Sequence, residues 1–211
     1  MLDLKREIAH YYGLITQMDD QIGRLMKAVG DHGLSHNTIV IFASDNGLAL
    51  GSHGFLGKQT MYEEGVRVPL IVAHPGPGGR AGRTSDALVY LIDLMPTVCE
   101  WTNVPMPEGV EGRSLARVHA GEAAGVRDFV IGRYDEGADP RFRMIRTDRY
   151  KLIRYFKVDK EELFDLECDP YEMDDRSDDP ALQEIRRSLS KRLYEVLVEQ
   201  GDEIGLKAWK K

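Results

Sequence analysis

The chain has 211 residues and a formal net charge of −7, from 28 basic and 35 acidic side chains. This length suits one large domain or two small ones, and a hydrophobic content of 42% is ordinary for a globular protein. An acidic balance without a basic stripe argues against a nucleic-acid partner. No apolar run approaches the roughly 18 residues of a membrane-spanning helix, so no membrane segment is expected.

The two cysteines, Cys99 and Cys168, stand far apart and outside any C-x-x-C pair. The sequence therefore lacks the cysteine spacing of a zinc site. One disulfide and two reduced thiols both fit this pattern, which leaves the redox compartment open. The first residues, MLDLKREIAHYYGL, contain no apolar signal core. They give no prediction of localisation.

Hydrophobic periodicity predicts the elements of the first half of the chain. Apolar residues at steps of three and four predict a long helix over Leu2–Val29. The continuous apolar run Thr38–Ser44 predicts a strand buried on both faces of a parallel or mixed sheet. Pro69–Ala73 is a second such strand. Ala87–Trp101 reads as a helix, and Pro96 inside it predicts a kink or a boundary.

After Pro105 the pattern changes to short strand-like runs with turn residues between them. Three runs, 127–134, 142–147 and 150–156, predict an antiparallel sheet, and 163–166 adds a short extended piece. Apolar residues on one face predict a final helix over 181–200.

These elements predict two structural units. A helix followed by a buried strand is an α/β signal, so we expect residues 1–104 to form part of an α/β sheet domain. Residues 105–211 are expected to form a small α+β subdomain, with an antiparallel sheet and a helix.

Polar side chains follow the first predicted strand directly. Asp45 and Asn46 supply a carboxylate and an amide oxygen at a strand end, where α/β sheets bind ligands. Such oxygens suit a hard cation, and Lys58 in the next loop would add a positive charge for an anionic substrate. An Asp-Asn-Gly triplet is more often a simple turn. From these residues alone, a turn and a metal site both stay open.

Short motifs along the chain resemble the C-terminal part of type I sulfatases, in the alkaline-phosphatase-like superfamily. Each motif is weak by itself, but the ordered set covers nearly the whole chain. The motifs are SDNG (44–47), GSHG (51–54), GK (57–58), YE (62–63), VPLI (68–71), DLMPT (93–97), GRSL (112–115), KLI (151–153), ELFDL (162–166) and DPYE (169–172).

The resemblance implies a site and a cofactor. It assigns Asp45 and Asn46 as ligands of a divalent metal, Ca²⁺ or else Mg²⁺ or Mn²⁺, whose other two side-chain ligands come from the N-terminal part of the family's fold. Lys58 matches the lysine that contacts the sulfate oxygens. His53 lies in the family's G-x-H-G turn, where a structural hydrogen bond and a substrate contact are both open roles.

The implied activity is that of a sulfuric ester hydrolase acting on a small sulfate ester or a sulfated sugar. A phosphonate or phosphate ester hydrolase of the same superfamily is the alternative. Asn46 weakly favours the sulfatase, because histidine is also common at that position across the superfamily. A non-catalytic module that self-associates through an exposed sheet edge is a third hypothesis.

The family nucleophile is a formylglycine made from the Cys or Ser of a C/S-x-P-x-R motif, which this sequence lacks. We therefore expect the isolated chain to be catalytically inert. Release of 4-nitrophenol from its sulfate ester by the pure chain should equal the buffer rate. Turnover that Asp45→Ala abolishes would contradict this expectation.

Overall fold

The computed structural model describes residues 4–76, 82–136 and 139–209. The long N-terminal helix and both early strands are confirmed, while residues 2 and 3 lie outside the described residues. The helix predicted over Ala87–Trp101 exists, but it begins only at Leu94. Two short helices, α2 and α4, were not predicted because one turn shows no periodicity. The elements of the first part are α1 (Leu4–Asp31), β1 (Val40–Ala43), α2 (Glu63–Val66), β2 (Leu70–Ala73), α3 (Leu94–Thr102) and α4 (Ala116–Ala120).

The second part is a four-stranded antiparallel sheet followed by two helices. The strands are hydrogen-bonded in chain order, β3-β4-β5-β6, as the alternation of short runs and turns predicted. A last short helix, α6, was not predicted. The elements are β3 (Phe129–Glu136), β4 (Asp139–Thr147), β5 (Tyr150–Tyr155), β6 (Lys160–Asp165), α5 (Gln183–Glu199) and α6 (Glu203–Trp209).

One face of this sheet carries the main hydrophobic core. Ile145, Leu152 and Leu163, one from each of three neighbouring strands, are fully buried against Leu193 and Leu197 of α5. The spacing of these leucines predicted the buried face of α5 correctly. Burial of each such side chain contributes about 1.5–3 kcal/mol. The α5–sheet contact is therefore a main source of stability.

The opposite face of the sheet receives the loop that precedes α2. Met144, Ile153 and Phe164 are each adjacent in sequence to a residue of the first core, so they point to the other face. Met61 is buried against them and Tyr62 packs beside it. The loop predicted to carry the site thus rests on the sheet of the second part. The division of the chain at 104/105 stays a prediction.

The first two strands form a separate small sheet. β1 and β2 pair antiparallel, with Val40 opposite Ala73 and Ala43 opposite Leu70. The continuous apolar run had favoured a parallel or mixed sheet, and here the structure differs. An apolar run reports that both faces are apolar, but it does not encode the direction of the neighbouring strand. The predicted burial of both strands on both faces is also wrong. All four residues of β1 are half-buried, and the residues of β2 alternate between half-buried and exposed.

The helix α1 lies largely exposed along its whole length. None of its residues is buried, and Tyr12, Leu14 and Leu25 are each more than 60% exposed. Its apolar stripe is the periodicity that predicted the helix. No helix among the described residues combines the length and the hydropathy needed to cross a membrane.

Pro96 marks a boundary, as predicted. It is the third residue of α3, in the first turn, where a missing backbone N–H breaks no helical hydrogen bond. Cys99 of the same helix is buried and Cys168 is exposed, and both are free thiols.

A buried carboxylate fixes the start of α3. Asp93 is fully buried and accepts two hydrogen bonds from the guanidinium of Arg127, at 2.5 and 2.6 Å. The backbone N–H groups of Tyr90 and Arg113 also donate to it, at 2.7 and 2.8 Å. Burial acts to raise the pKa of Asp93, but these hydrogen bonds and the Arg127 charge outweigh it, and the net pKa is lowered.

We predict that Asp93→Asn lowers the free energy of unfolding by about 3–5 kcal/mol near neutral pH, because it leaves the Arg127 charge buried and unpaired. The folded pKa of Asp93 lies below its unfolded value of roughly 4. Its stabilisation is therefore present above that value and is lost as the pH falls through the folded pKa. Urea unfolding at pH 7 and at acidic pH measures both effects. The exposed Asp178→Asn is the matched control, and an equal effect of the two variants would contradict the prediction.

Candidate functional site

The end of β1 orients the first two predicted site residues. The backbone N–H of Asn46 donates to Asp45 Oδ1 at 2.8 Å, and the hydroxyl of Ser44 donates to Asn46 O at 3.1 Å. The side-chain N–H of Asn46 donates to Gly47 O at 3.0 Å, which directs its Oδ1 away from the backbone. Asx-type hydrogen bonds of this kind hold a tight turn. They leave Asp45 Oδ2 and Asn46 Oδ1 outside the hydrogen bonds of the turn.

Lys58 lies twelve positions after Asn46 in the sequence, and the loop between them brings the two side chains into contact. Its Nζ donates to Asn46 Oδ1 at 3.2 Å. Asp45, Asn46 and Lys58 line one open cavity of about 260 Å³, with Arg133 of β3 also on its wall. The structure thus brings three of the four predicted site residues together. A carboxylate, an amide oxygen and two cationic side chains can hold a metal ion together with an oxyanion.

Gly47, directly after Asn46, allows a close backbone contact with α2. Its N–H donates to Gly65 O at 3.0 Å. A Cβ at Gly47 would lie only 1.8 Å from Glu64 O. No residue with a side chain fits there unless the backbone shifts. The position of Asn46 therefore depends on the position of α2.

His53, the fourth predicted residue, faces a different group of side chains. Its ring stacks on Tyr62, with centroids 3.7 Å apart and planes within 5°. Its backbone is left-handed, with φ of 53°, in a short turn at Ser52–Gly54. Its Nε2 lies 3.7 Å from Glu64 Oε2. His53 is not among the residues that line the cavity of Asp45 and Lys58.

A buried lysine fastens α2 to the sheet. Lys151 of β5 is fully buried, and its Nζ donates to Met61 O at 2.9 Å. The same ammonium lies 2.8 Å from Glu63 Oε1 and 2.6 Å from Glu172 Oε1. The backbone N–H of Glu63 donates to Glu172 Oε2 at 2.6 Å. Sequence reasoning missed this network, although Lys151 and Glu172 belong to the KLI and DPYE motifs.

The two carboxylates that share Lys151 have opposite pKa shifts. Burial raises the pKa of both, but for Glu63 the charges of Lys151 and Arg146 outweigh burial and the net pKa is lowered. Arg146 Nε lies 3.2 Å from Glu63 Oε1. For Glu172 the effect of burial prevails and the pKa is raised. Glu63 is thus held as the charged partner of Lys151, and Glu172 is the less compensated carboxylate.

A second polar network supports the ring beneath His53. The hydroxyl groups of Tyr62 and Tyr155 donate to Glu162 Oε2 at 2.9 and 2.8 Å. Burial raises the pKa of Tyr62 to about 12 and also raises that of Tyr155. Both phenols are therefore hydrogen-bond donors at physiological pH. They fix the plane on which His53 stacks.

The same segments identify the family of the chain. Residues 51–199 match the family described as N-sulphoglucosamine sulphohydrolase, C-terminal, which is well over half of the chain. The chain belongs to the sulfatase family. The match spans both the loop of Lys58 and the buried network of Lys151, so the resemblance expected from the short motifs is confirmed.

Curated relatives agree with this assignment. The chain is 36% identical over 172 residues to an arylsulfatase of Clostridium perfringens, covering 81% of this chain and 36% of the relative. It is 34% identical to an N-acetylglucosamine-6-O-sulfatase of Bacteroides thetaiotaomicron, covering 77% of this chain and 30% of the relative. The chain thus spans about a third of the length of these relatives.

Solved structures share the fold. A protein crystallised with its substrate D-glucosamine-2-N,6-O-disulfate superposes with a TM-score of 0.81 at 31% identity, over 90% of this chain and 40% of that chain. A phosphonate monoester hydrolase of Agrobacterium radiobacter gives a TM-score of 0.81 at 27% identity, over 93% and 42%. The expected α/β fold with a small α+β part is therefore confirmed at the level of the family.

We predict that Gly47→Ala lowers the free energy of unfolding by about 1–3 kcal/mol, because the added Cβ overlaps Glu64 O. Gly57→Ala in the same loop is the matched control, since a Cβ there meets nothing within 4 Å. Its effect should stay within about 0.5 kcal/mol. Urea unfolding curves compare the two variants. Equal midpoints would show that the loop does not press against α2.

Proposed function

We propose that this sulfatase chain contributes two ligands, at the end of β1, to a divalent-metal site. In the complete protein this site would catalyse the hydrolysis of sulfate esters of sugars. Asp45 and Asn46 are the proposed metal ligands, and Lys58 is the proposed contact to the sulfate oxygens. The observation that carries the proposal is the meeting of these three side chains at one cavity, with Lys58 Nζ 3.2 Å from Asn46 Oδ1.

The donor set fits a hard cation. Sulfatases generally use a divalent metal, and the carboxylate of Asp45 with the amide oxygen of Asn46 suits Ca²⁺, Mg²⁺ or Mn²⁺. These two residues supply two oxygens of the six to eight that Ca²⁺ takes, so the complete site needs further ligands. A bound metal would neutralise negative charge that develops on the sulfate oxygens.

Lys58 and Arg133 supply positive charge from this chain. The ammonium of Lys58 is a compact charge that can hydrogen-bond an ester oxygen while it stays beside Asn46. Arg133 lies on the wall of the same cavity. Both charges favour an oxyanion over a neutral ester. They act more strongly in a site from which substrate excludes water.

His53 is proposed to orient the loop. Its stacking on Tyr62 and its position outside the cavity support the structural role over direct contact with substrate. The hydrated formylglycine that the resemblance implies as nucleophile would have to come from outside these residues, since no C/S-x-P-x-R motif occurs here.

A phosphonate or phosphate ester hydrolase is the second candidate. The structural similarity to a phosphonate monoester hydrolase favours it. A multifunctional alkaline phosphatase superfamily protein of Trinickia caryophylli is also 31% identical over 206 residues. A sulfate ester is preferred over a phosphonate, because relatives named as sulfatases match at the higher identities of 34% and 36%. A sugar as the sulfated group is supported by the similar structure that holds D-glucosamine-2-N,6-O-disulfate. Self-association through a sheet edge gains no support from these comparisons.

A chimera tests the proposal. The matching segment of the Clostridium perfringens arylsulfatase is replaced by this chain, and hydrolysis of aryl sulfate, sulfated glucosamine and aryl phosphonate is measured. We expect sulfate ester hydrolysis that Asp45→Ala or Lys58→Ala lowers at least about 100-fold in kcat/KM, because each removes charge stabilisation at the reacting group.

Lys191→Ala, at an exposed lysine of α5, is the matched control and should leave kcat/KM unchanged. A folded chimera in which Asp45→Ala and Lys58→Ala are as active as the parent would refute the site assignment. A preference for the phosphonate over both sulfate esters would favour the second candidate.

A further inference from the structure

A group of three ligand atoms lies beside the Lys151 network, apart from the cavity of Asp45. His53, Glu64 and Glu172 each direct one nitrogen or oxygen to a common point, and the three atoms all lie within 4.8 Å of one another. They come from the turn at Ser52–Gly54, from α2 and from the segment after β6. Their convergence is produced by the tertiary fold and not by one local motif.

Two of the three ligand atoms lack hydrogen bonds. Nε2 of His53 and Oε2 of Glu64 are buried without a hydrogen-bond partner, whereas Oε1 of Glu172 pairs with the Lys151 ammonium at 2.6 Å. The side chain of His53 is only 10% exposed and that of Glu172 is fully buried. A buried polar atom without a partner costs about 1–3 kcal/mol. Two such atoms beside an oxygen of a third carboxylate favour a bound cation.

The distances suit a cation better than a direct hydrogen bond. His53 Nε2 and Glu64 Oε2 are 3.7 Å apart, which is too long for a hydrogen bond. Two ligand atoms that each bind one ion at about 2.1 Å, near the tetrahedral angle, are separated by about 3.4 Å. The existing gap therefore accommodates a bridging ion with little movement.

The local charges also leave room for a cation. Three carboxylates lie here, those of Glu63, Glu64 and Glu172. Lys151 and Arg146 contact Glu63 or Glu172, and the charge of Arg67 also acts on Glu63. The ion-pair contact of Glu64 is with His53, at 3.7 Å, so a cation held between these two side chains would compensate the charge of Glu64.

The contact with Lys151 does not prevent Glu172 from binding a metal ion. Its Nζ lies 2.6 Å from Glu172 Oε1, but a carboxylate oxygen has two lone pairs and can accept from an ammonium while it binds an ion. The other oxygen of Glu172 accepts from the backbone of Glu63 and orients the carboxylate. The side chain of Glu64 is 27% exposed, which provides a path from solvent.

We propose that His53, Glu64 and Glu172 form a second, structural metal site for a divalent transition ion such as Zn²⁺, distinct from the oxygen site of Asp45 and Asn46. One imidazole nitrogen and two carboxylates are ligands typical of Zn²⁺ and Co²⁺. The ion would tie the turn of His53 and the helix α2 to the segment that carries Glu172. This inference does not depend on the proposed sulfatase activity.

Metal binding by the tag-free, metal-stripped chain tests the proposal. Equilibrium dialysis should show one Zn²⁺ per chain that Asp45→Ala retains, and Co²⁺ at this site should give visible absorption from a nitrogen-containing ligand set. We expect His53→Asn and Glu64→Gln each to weaken binding at least tenfold. Zn²⁺ should raise the thermal midpoint of the parent chain and not that of Glu64→Gln.

Glu64→Gln preserves the shape of the side chain, so it separates ligand loss from misfolding even where His53→Asn unfolds the chain. The matched control is His74→Asn, another half-buried histidine, whose Nδ1 accepts from Gly76 N at 3.0 Å. Its Zn²⁺ affinity should equal that of the parent. Absence of stoichiometric Zn²⁺, loss of all binding in Asp45→Ala, or full affinity in Glu64→Gln would each overturn the proposal.

Discussion

The burial of the Lys151 ammonium is the constraint on which the candidate site depends. A fully buried charge is tolerated only when charged and hydrogen-bonding partners surround it. Lys151 has them in Glu63, Glu172 and Met61 O, at 2.6–2.9 Å. These partners lie about 90 positions before it and 21 after it in the sequence. Satisfying one charge on the central sheet therefore fixes both the loop before α2 and the segment after β6.

The buried Lys151 network is connected to Asp45 and Asn46, at the end of β1, by direct contacts. α2 is seated on the sheet, Gly47 presses against its backbone, and Asn46 follows Asp45 at the end of β1. Lys58 closes the loop on Asn46 Oδ1. Sites that bind oxyanions gain from such preorganisation, because the ligands need no rearrangement when charge develops. The sheet of the second part thus positions groups that belong to the first part.

The loop between β1 and α2 has polar groups of different chemistry on its two sides. The cavity side holds Asp45, Asn46 and Lys58, with hard oxygens and exposed cations. The sheet side holds His53, stacked on Tyr62, beside carboxylates that are mostly buried. Oxygen ligands select ions such as Ca²⁺, whereas imidazole with carboxylates suits ions such as Zn²⁺. The chemistry of the side chains therefore distinguishes the two locations even though the residues are close in sequence.

Local periodicity and the order of the motifs were sufficient to predict the helices α1 and α5, the strands of the antiparallel sheet, the polar pair at the end of β1 and the family. The antiparallel pairing of β1 with β2, the placement of His53 away from Lys58 and the partners of Lys151 became known only from the three-dimensional structure. The difference lies in the sequence separation of the residues that interact. Periodicity reports which face of an element is apolar, while ion pairs between distant segments depend on how the elements are arranged in space.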